Sequence, residues 1–140
     1  MNRRQARENV FYLIFESHFQ NENENYAELF NSAQDMGVIE YDEYTEKVFF
    51  GVMSNAEELD KKIEENAKGW KLGRMSKVSV SIMRICIYEM LYCDDIPYNV
   101  SINEAVELAK KFDSDDSYTF VNGVLGAAEK LINKENSDNE

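Results

Sequence analysis

The stretch from Ile96 to Leu125 constrains the fold of this chain more than any other part of the sequence. Pro97 is the only proline in the chain, and it ends any helix before it because proline lacks an N–H and disfavours helical backbone at the preceding residue. Ser101 and Glu104 have the spacing of a capping box, which predicts that a helix begins at Ser101. Apolar residues then recur with helical spacing at Ile102, Ala105, Val106, Ala109 and Phe112.

A second helix is predicted directly after the first. The acidic segment 113–117 interrupts the apolar pattern, and Ser117 can cap the helix that follows. The new apolar stripe comprises Val121, Val124, Leu125, Ala128, Leu131 and Ile132. The whole stretch therefore predicts a helix hairpin with its apolar faces in a core.

The rest of the chain has the same helical character. One proline and six glycines in 140 residues, with many Glu, Lys, Leu, Ile and Ala residues, favour an all-α fold. We predict a compact bundle of about six to seven helices in two packed helical subdomains. The predicted organisation is one domain over residues 1–134, with an N-terminal helical half at 1–69, a C-terminal helical half at 70–134 and an acidic tail at 135–140.

Several local signals place the remaining helices. The first helix is predicted over residues 3–19, and the second begins near Tyr26 and stops at Gly37. Residues 41–67 read either as one long helix or as two, because Ser54 and Asn55 could cap a new helix or lie within a continuous one. Trp70 and Leu72 are expected to fill the junction between the halves, and Ser76 is expected to cap the next helix.

Charge is distributed unevenly along the sequence. The net formal charge of −12 argues against a broad nucleic-acid-binding groove, because phosphate neutralisation supplies most non-specific affinity. Two local regions are nevertheless basic: residues 1–18 carry +1, with Arg3, Arg4 and Arg7 near the start, and residues 68–92 carry +4. The arginines stand at the helix end that prefers negative charge, which suggests a function for them.

No pattern in the sequence indicates an enzyme or a cofactor. The chain contains no P-loop, dinucleotide fingerprint, zinc-ligand spacing or nucleophile motif. Cys86 and Cys93 are interpreted as buried reduced thiols of a cytoplasmic protein, and His18 is the only histidine. There is no apolar run long enough to span a membrane and no secretory signal.

Two polar features allow alternative interpretations. Arg84 and Glu89 interrupt an otherwise apolar helix, either as an ion pair at the edge of the core or as a polar pair that faces a partner. Asn122 and Gly123 lie inside a helical pattern, where glycine costs about 1 kcal/mol relative to alanine. Gly123 could allow a close helix approach, or Asn122 could offer its amide to a base or to a partner backbone.

The motifs resemble one known family. The sequences "INEAVELAKKF" and "FVNGVL" look like the C-terminal signature of the NusB family of transcription antitermination factors. The upstream "MRICIYEML…IPYNV" and the initial "RRQARE…FYLIFE" fit the same pattern, and residues 20–68 carry little of it.

This resemblance implies a function that composition alone would not suggest. Family members are non-enzymatic helical proteins without cofactors, which pair with the ribosomal protein NusE and bind boxA-type single-stranded RNA of nascent transcripts, notably from rRNA operons. Other Nus factors and RNA polymerase join the larger complex. The resemblance assigns RNA binding to Arg3, Arg4 and Arg7, to which we add Asn122. It assigns NusE binding to Phe15 and Glu89.

Other interpretations remain open from the sequence. The chain could be a protein-only helical adaptor without direct RNA recognition, or it could form a homodimer when NusE is absent. A similar helical fold begins some RNA cytosine methyltransferases, so an enzyme domain is a third hypothesis, although these 140 residues do not include a methyl-donor domain.

Overall fold

The fold is built from α helices. A computed structural model of the chain describes residues 1–21 and 25–138. Within these residues it contains seven α helices and one 3-10 turn at Leu72–Arg74, which confirms the all-α class. The helices are α1 (Arg3–Ser17), α2 (Tyr26–Asp35), α3 (Glu43–Ser54), α4 (Ala56–Glu65), α5 (Lys77–Tyr92), α6 (Tyr98–Phe112) and α7 (Ser117–Asp138).

The chain divides into two compact units, Met1–Asn55 and Ala56–Glu140. The division falls between α3 and α4, where Asn55 leaves helical geometry with φ −117° and ψ 18°. Residues 41–67 therefore contain two helices rather than one. The predicted boundary after residue 69 lies farther along the chain than this division, because α4 packs against α5 and α7 and so belongs to the second unit.

Local polar contacts define the helix ends of the first unit. Asn2 caps α1 and forms a reciprocal capping box with Gln5. Asn25 and Asp42 cap α2 and α3 through their side chains. Gly37 follows α2 with a φ of +74°, a left-handed conformation that favours glycine, so the predicted stop of the second helix is confirmed.

Helix α5 is the centre of the second unit. It contacts α4, α6 and α7, and eleven of its residues are buried, so apolar side chains are needed on most of its faces. Ser76 caps this helix by accepting the Ser79 N–H at 2.9 Å, as its position in the sequence predicted. Helices α6 and α7 form the predicted hairpin and pack against each other.

Helix α6 begins earlier than the capping-box pattern indicated. Its N-cap is Pro97 and its first residue is Tyr98. Ser101 lies one turn inside the helix and is buried, so the predicted cap at Ser101 is wrong. Its hydroxyl instead donates to Glu89 of α5, because burial of that carboxylate calls for a hydrogen-bond donor.

The end of the chain is more helical than the sequence indicated. Helix α7 continues to Asp138, so residues 135–138 of the predicted acidic tail are helical, and residues 139–140 lie outside the described part. Gly123 does not mark a close helix approach, because no atom of another described helix lies within 4 Å of the position a Cβ would occupy. Among the described residues, no helix has the length and apolar character required to cross a bilayer.

Candidate nucleic-acid interface

Two of the three arginines predicted to bind RNA lie on one tyrosine ring in the first unit. The guanidinium carbon of Arg3 lies 4.4 Å from the centroid of the Tyr44 ring, and that of Arg7 lies 5.6 Å from it. Arg3 and Arg4 are exposed, whereas Arg7 is only 4% exposed. Arg7 is therefore a buried member of the cluster, and the accessible charge comes from Arg3 and Arg4.

Tyr44 is held in place by the start of α3. It is the second residue of that helix and is itself largely buried. The next residue, Thr45, is completely buried and directs its Oγ1 toward the carbonyl oxygen of Ala6 in α1 at 3.4 Å. This contact joins the two helices close to the tyrosine, which fixes the ring beneath the arginines. Sequence analysis did not identify Tyr44, because no local pattern relates it to residues some forty positions earlier.

A row of aromatic rings continues along α1 from its middle to its end. The Phe11 and Phe15 centroids lie 5.9 Å apart, and those of Phe15 and Phe19 lie 5.2 Å apart. Exposure increases along the row, from buried Phe11 through half-buried Phe15 to Phe19, which is 59% exposed. Phe15, the predicted partner-binding residue, is thus the middle of an apolar row that reaches the surface.

An open groove of about 380 Å³ borders the end of this row. It is lined by Glu16, Phe19, Gln20, Glu28, Leu29 and Ser32. Among the described residues, the lining combines two carboxylates with apolar side chains and includes no basic residue. Such a groove can accept a side chain that is both long and positively charged.

Glu89, the second predicted partner-binding residue, is not at the surface. Its side chain is completely buried, and Ser101 Oγ donates to its Oε1 at 2.6 Å. Arg84 instead forms two 2.7 Å contacts with the carboxylate of Asp60. A fully buried carboxylate has no exposed area to offer a partner, so the structure gives Glu89 a role inside the second unit.

The second unit carries a separate groove of about 270 Å³ between the starts of α5 and α7. Trp70 and Phe120 form one wall, with ring centroids 5.8 Å apart and planes inclined at 66°. Trp70 is 53% exposed, so the expectation that it fills a buried junction is wrong. Arg74 also lines the groove and is exposed. An exposed aromatic face beside a cation is suited to stacking with a nucleobase and contacting its phosphate.

Asp113 fixes the floor of this groove. Its carboxylate accepts hydrogen bonds from Ser79 Oγ at 2.8 Å, Ser76 Oγ at 2.9 Å and Ser114 N at 2.8 Å. Partial burial acts to raise the pKa of Asp113, but hydrogen bonds led by the one from Ser79 outweigh it and leave the pKa below its usual value. The negative charge of Asp113 thus joins the end of α6 to the start of α5.

Further polar and basic groups lie on α6 and α7. Asn122 is exposed, so its amide is accessible as predicted for a contact residue. Near the hairpin turn, the Lys110 ammonium lies 5.1 Å from the Tyr118 ring centroid, and that of Lys111 lies 5.3 Å from the Phe112 ring. The hairpin therefore presents cations and aromatic rings together, a combination that the sequence analysis did not single out.

Comparison with known proteins gives one consistent family. A sequence model of the NusB family matches residues 4–130. A curated relative, the transcription antitermination protein NusB of Clostridium novyi (strain NT), is 44% identical over 131 residues, which is 90% of this chain and 96% of the relative.

Solved structures agree with the sequence comparison. T. maritima NusB superimposes with a TM-score of 0.82 at 30% identity and covers 93% of this chain and 92% of its own. A chain from a crystal structure of the antitermination factors NusB and NusE in complex with dsRNA gives a TM-score of 0.80 at 26% identity, with 92% of this chain and 96% of that chain covered.

Proposed function

This chain belongs to the NusB family, and from that premise we propose that it is a transcription antitermination factor that binds RNA together with a NusE-type ribosomal protein. Its curated relatives are named as antitermination proteins rather than as enzymes, in agreement with the expectation that the chain is not an enzyme. The observation that carries the RNA-binding part is the pair of guanidinium groups over Tyr44 at the start of α1.

The arginine cluster has the chemistry that RNA recognition requires. A guanidinium over an aromatic face keeps its N–H groups along its edge, where they can donate to phosphate oxygens. The aromatic contact also restricts the side chain before RNA arrives, so less conformational entropy is lost on binding. Arg3 and Arg4 supply the exposed charge, and the buried Arg7 packs against the same ring as Arg3.

The groove at Trp70 and Phe120 supports an RNA contact in the second unit. Single-stranded RNA is recognised largely through unstacked bases that lie against aromatic side chains. Trp70 offers an exposed ring, Arg74 offers a nearby charge, and Asn122 offers an amide on α7. The single-stranded character of the boxA segment suits such a surface better than a duplex would.

The partner-binding part of the proposal rests on α1. The exposed end of its phenylalanine row provides apolar area, and the adjacent groove with Glu16 and Glu28 provides negative charge. A chain with a net charge of −12 binds RNA weakly by electrostatics alone. A basic ribosomal protein such as NusE would complement the acidic surface and add its own positive charge to the RNA site.

The kind of RNA and the larger complex are inferred from membership of the family. We infer that the RNA is a boxA-type segment of nascent transcripts, notably of rRNA operons, and that the complex acts in the cytoplasm with other Nus factors and RNA polymerase. A protein-only adaptor is the alternative function. It is favoured by the acidity of the chain, since an adaptor needs no phosphate contact.

Fluorescence anisotropy distinguishes the two functions. A labelled boxA-like RNA is titrated with the protein alone, with NusE alone and with both, each at two salt concentrations. The proposal predicts binding by the pair that is tighter than binding by either protein and that weakens with salt. Formation of the protein pair without any gain in RNA affinity would identify an adaptor.

A further inference from the structure

A short segment after α2 exposes three large apolar side chains. Met36 is 77% exposed, Val38 is 45% exposed and Tyr41 is 56% exposed. Scattered apolar side chains are common on protein surfaces, but a group of them with a polar rim marks an interaction site. We refer to residues 35–43 as the apolar–acidic segment.

The backbone at the end of α2 fixes this exposure. Val38 N donates to Ala33 O at 2.9 Å, and Gly37 N donates to Gln34 O at 3.0 Å. With Gly37 at a φ of +74°, these two bonds form a Schellman motif. Ile39 is then buried, which anchors the segment in the first unit. The outward positions of Met36 and Val38 are thus set by the helix end and by the Ile39 anchor.

Negative charge surrounds the apolar side chains. The apolar–acidic segment contains four carboxylates, at Asp35, Glu40, Asp42 and Glu43, and no lysine or arginine, and Glu46 follows three residues later. The charge of Glu46, with smaller contributions from burial and from Glu43 and Asp42, raises the pKa of the Tyr41 hydroxyl above its usual value. These carboxylates attract ammonium and guanidinium groups, and the guanidinium groups of Arg3 and Arg7 lie over the ring of Tyr44, directly after the segment.

We propose that the apolar–acidic segment is a docking surface for a lysine- and arginine-rich polypeptide that also carries apolar residues. The apolar side chains supply contact area, and the carboxylates pair with basic groups at the rim, which is the usual division of a protein interface. The segment ends at the residue before Tyr44, whose ring carries Arg3 and Arg7. It adds a second protein contact to the one proposed for α1.

Two synthetic peptides test this surface. One is a fluorescein-labelled lysine-rich peptide with leucine at every third position, and the other has serine at those positions. Both are titrated against the full chain by anisotropy. The proposal predicts that the leucine peptide binds at least about tenfold more tightly, because it adds apolar burial to the charge attraction.

Substitutions in the protein test whether the peptide binds at the apolar–acidic segment. Met36→Ser with Val38→Ser removes apolar contact, and Glu40→Gln with Glu43→Gln removes two exposed charges. Glu57→Gln with Glu65→Gln on α4 is the matched control, because it removes two exposed carboxylates elsewhere. We expect each of the first two double substitutions to weaken binding of the leucine peptide about fivefold or more. The control should change the affinity for this peptide less than about twofold. Amide NMR shifts induced by the peptide should fall within the apolar–acidic segment.

Three results would overturn the proposal. Equal weakening by the α4 control would show attraction by net charge alone, without a defined surface. Shifts outside the apolar–acidic segment would place the peptide elsewhere. Loss of self-association in the Met36→Ser, Val38→Ser variant would assign the surface to a second copy of the chain. RNA affinity measured with NusE should be unchanged in the Met36→Ser, Val38→Ser variant, so its loss of peptide binding is distinguishable from a failure of the proposed RNA function.

Discussion

The guanidinium carbon of Arg3 lies 4.4 Å from the centroid of the Tyr44 ring, so a residue of α3 positions a charge at the start of α1. Cation–π contacts of this kind contribute about 0.5–2 kcal/mol, depending on how far they are removed from water. Tyr44 is therefore a positioning residue for the RNA contact rather than a group that must itself touch RNA.

Replacement of Tyr44 tests this role. We expect Tyr44→Leu to weaken RNA binding by about 2- to 30-fold, which is the range that corresponds to the loss of a cation–π contact. Tyr44→Phe keeps the ring and should retain most of the affinity. The measurement is RNA anisotropy in the presence of NusE, with circular dichroism to verify the fold. Equal RNA affinities for Tyr44→Leu and Tyr44→Phe would show that the aromatic ring does not contribute to RNA binding.

Trp70 reports on the second RNA contact. It is the only tryptophan in the chain and is 53% exposed, so its fluorescence can be followed without a label. Stacking of a base on its ring should quench this emission as boxA-like RNA is added with NusE present. Trp70→Ala should weaken RNA binding by about 1–3 kcal/mol, which is typical of base–aromatic stacking. Leu131→Ala, an exposed apolar change on α7, is the control and should have no effect on RNA.

An unchanged Trp70 emission during saturable RNA binding would contradict this contact. RNA would then be confined to the arginine cluster in the first unit. The stability of the Trp70→Ala variant should be checked by thermal unfolding, because the ring also contacts Phe120.

Asp113 gives a prediction about pH. Its folded-state pKa lies below the usual 3.8, so its stabilising contribution is fully present above pH 3.8 and is lost as the pH falls through the lower folded-state value. Asp113→Asn should reduce the free energy of unfolding by about 1–2 kcal/mol at neutral pH, since it weakens hydrogen bonds to a charged and partly exposed group.

Denaturant unfolding at neutral and acidic pH measures this effect. The difference between wild type and Asp113→Asn should shrink at the acidic end, because the wild-type carboxyl becomes protonated there. Asp115→Asn, two residues away and exposed, is the control and should change little at either pH. If the difference in free energy of unfolding between wild type and Asp113→Asn stayed constant down to low pH, the negative charge of Asp113 would not be its cause.

Substitutions at Phe15 and Glu89 are expected to differ in their effect on NusE affinity. Phe15→Ala should weaken NusE binding by about 1–2 kcal/mol, because it truncates a half-buried ring in the aromatic row of α1. Glu89→Gln should lower the unfolding temperature through the buried contact with Ser101 and leave NusE affinity unchanged in the folded protein. Calorimetric titration with NusE, run well below the unfolding temperature, separates the two. A large loss of affinity in folded Glu89→Gln would mean that the buried carboxylate does influence the partner surface.

Features with a local cause were predictable from the sequence. Gly37 marks a helix end through its own backbone conformation, and Ser76 caps α5 through a bond that spans three residues. The apolar stripes of α6 and α7 predicted the hairpin, because helical spacing alone determines which residues share a face.

Features that depend on distant residues were not predictable in the same way. Ser101 has the spacing of a cap, but the buried carboxylate of Glu89 uses its hydroxyl inside the helix. Trp70 is apolar enough to be buried, but it lies exposed against Phe120, fifty residues later. Tyr44 acquires its role only when α3 packs against α1. In each case the partner residue belongs to another helix, and a single sequence contains no signal for that pairing.

The arginine pair at the start of α1 provides the most direct test of RNA recognition by this chain. Arg3→Glu with Arg4→Glu is compared with Lys61→Glu and Lys130→Glu, which alter the net charge equally at exposed positions elsewhere. The affinity for boxA-like RNA is measured with NusE over a range of salt, and NusE binding is measured in parallel. We expect at least about a tenfold loss of RNA affinity and a shallower salt dependence for the arginine variant only, with NusE binding unchanged. Equal RNA affinity in the arginine variant and the lysine control would contradict this expectation.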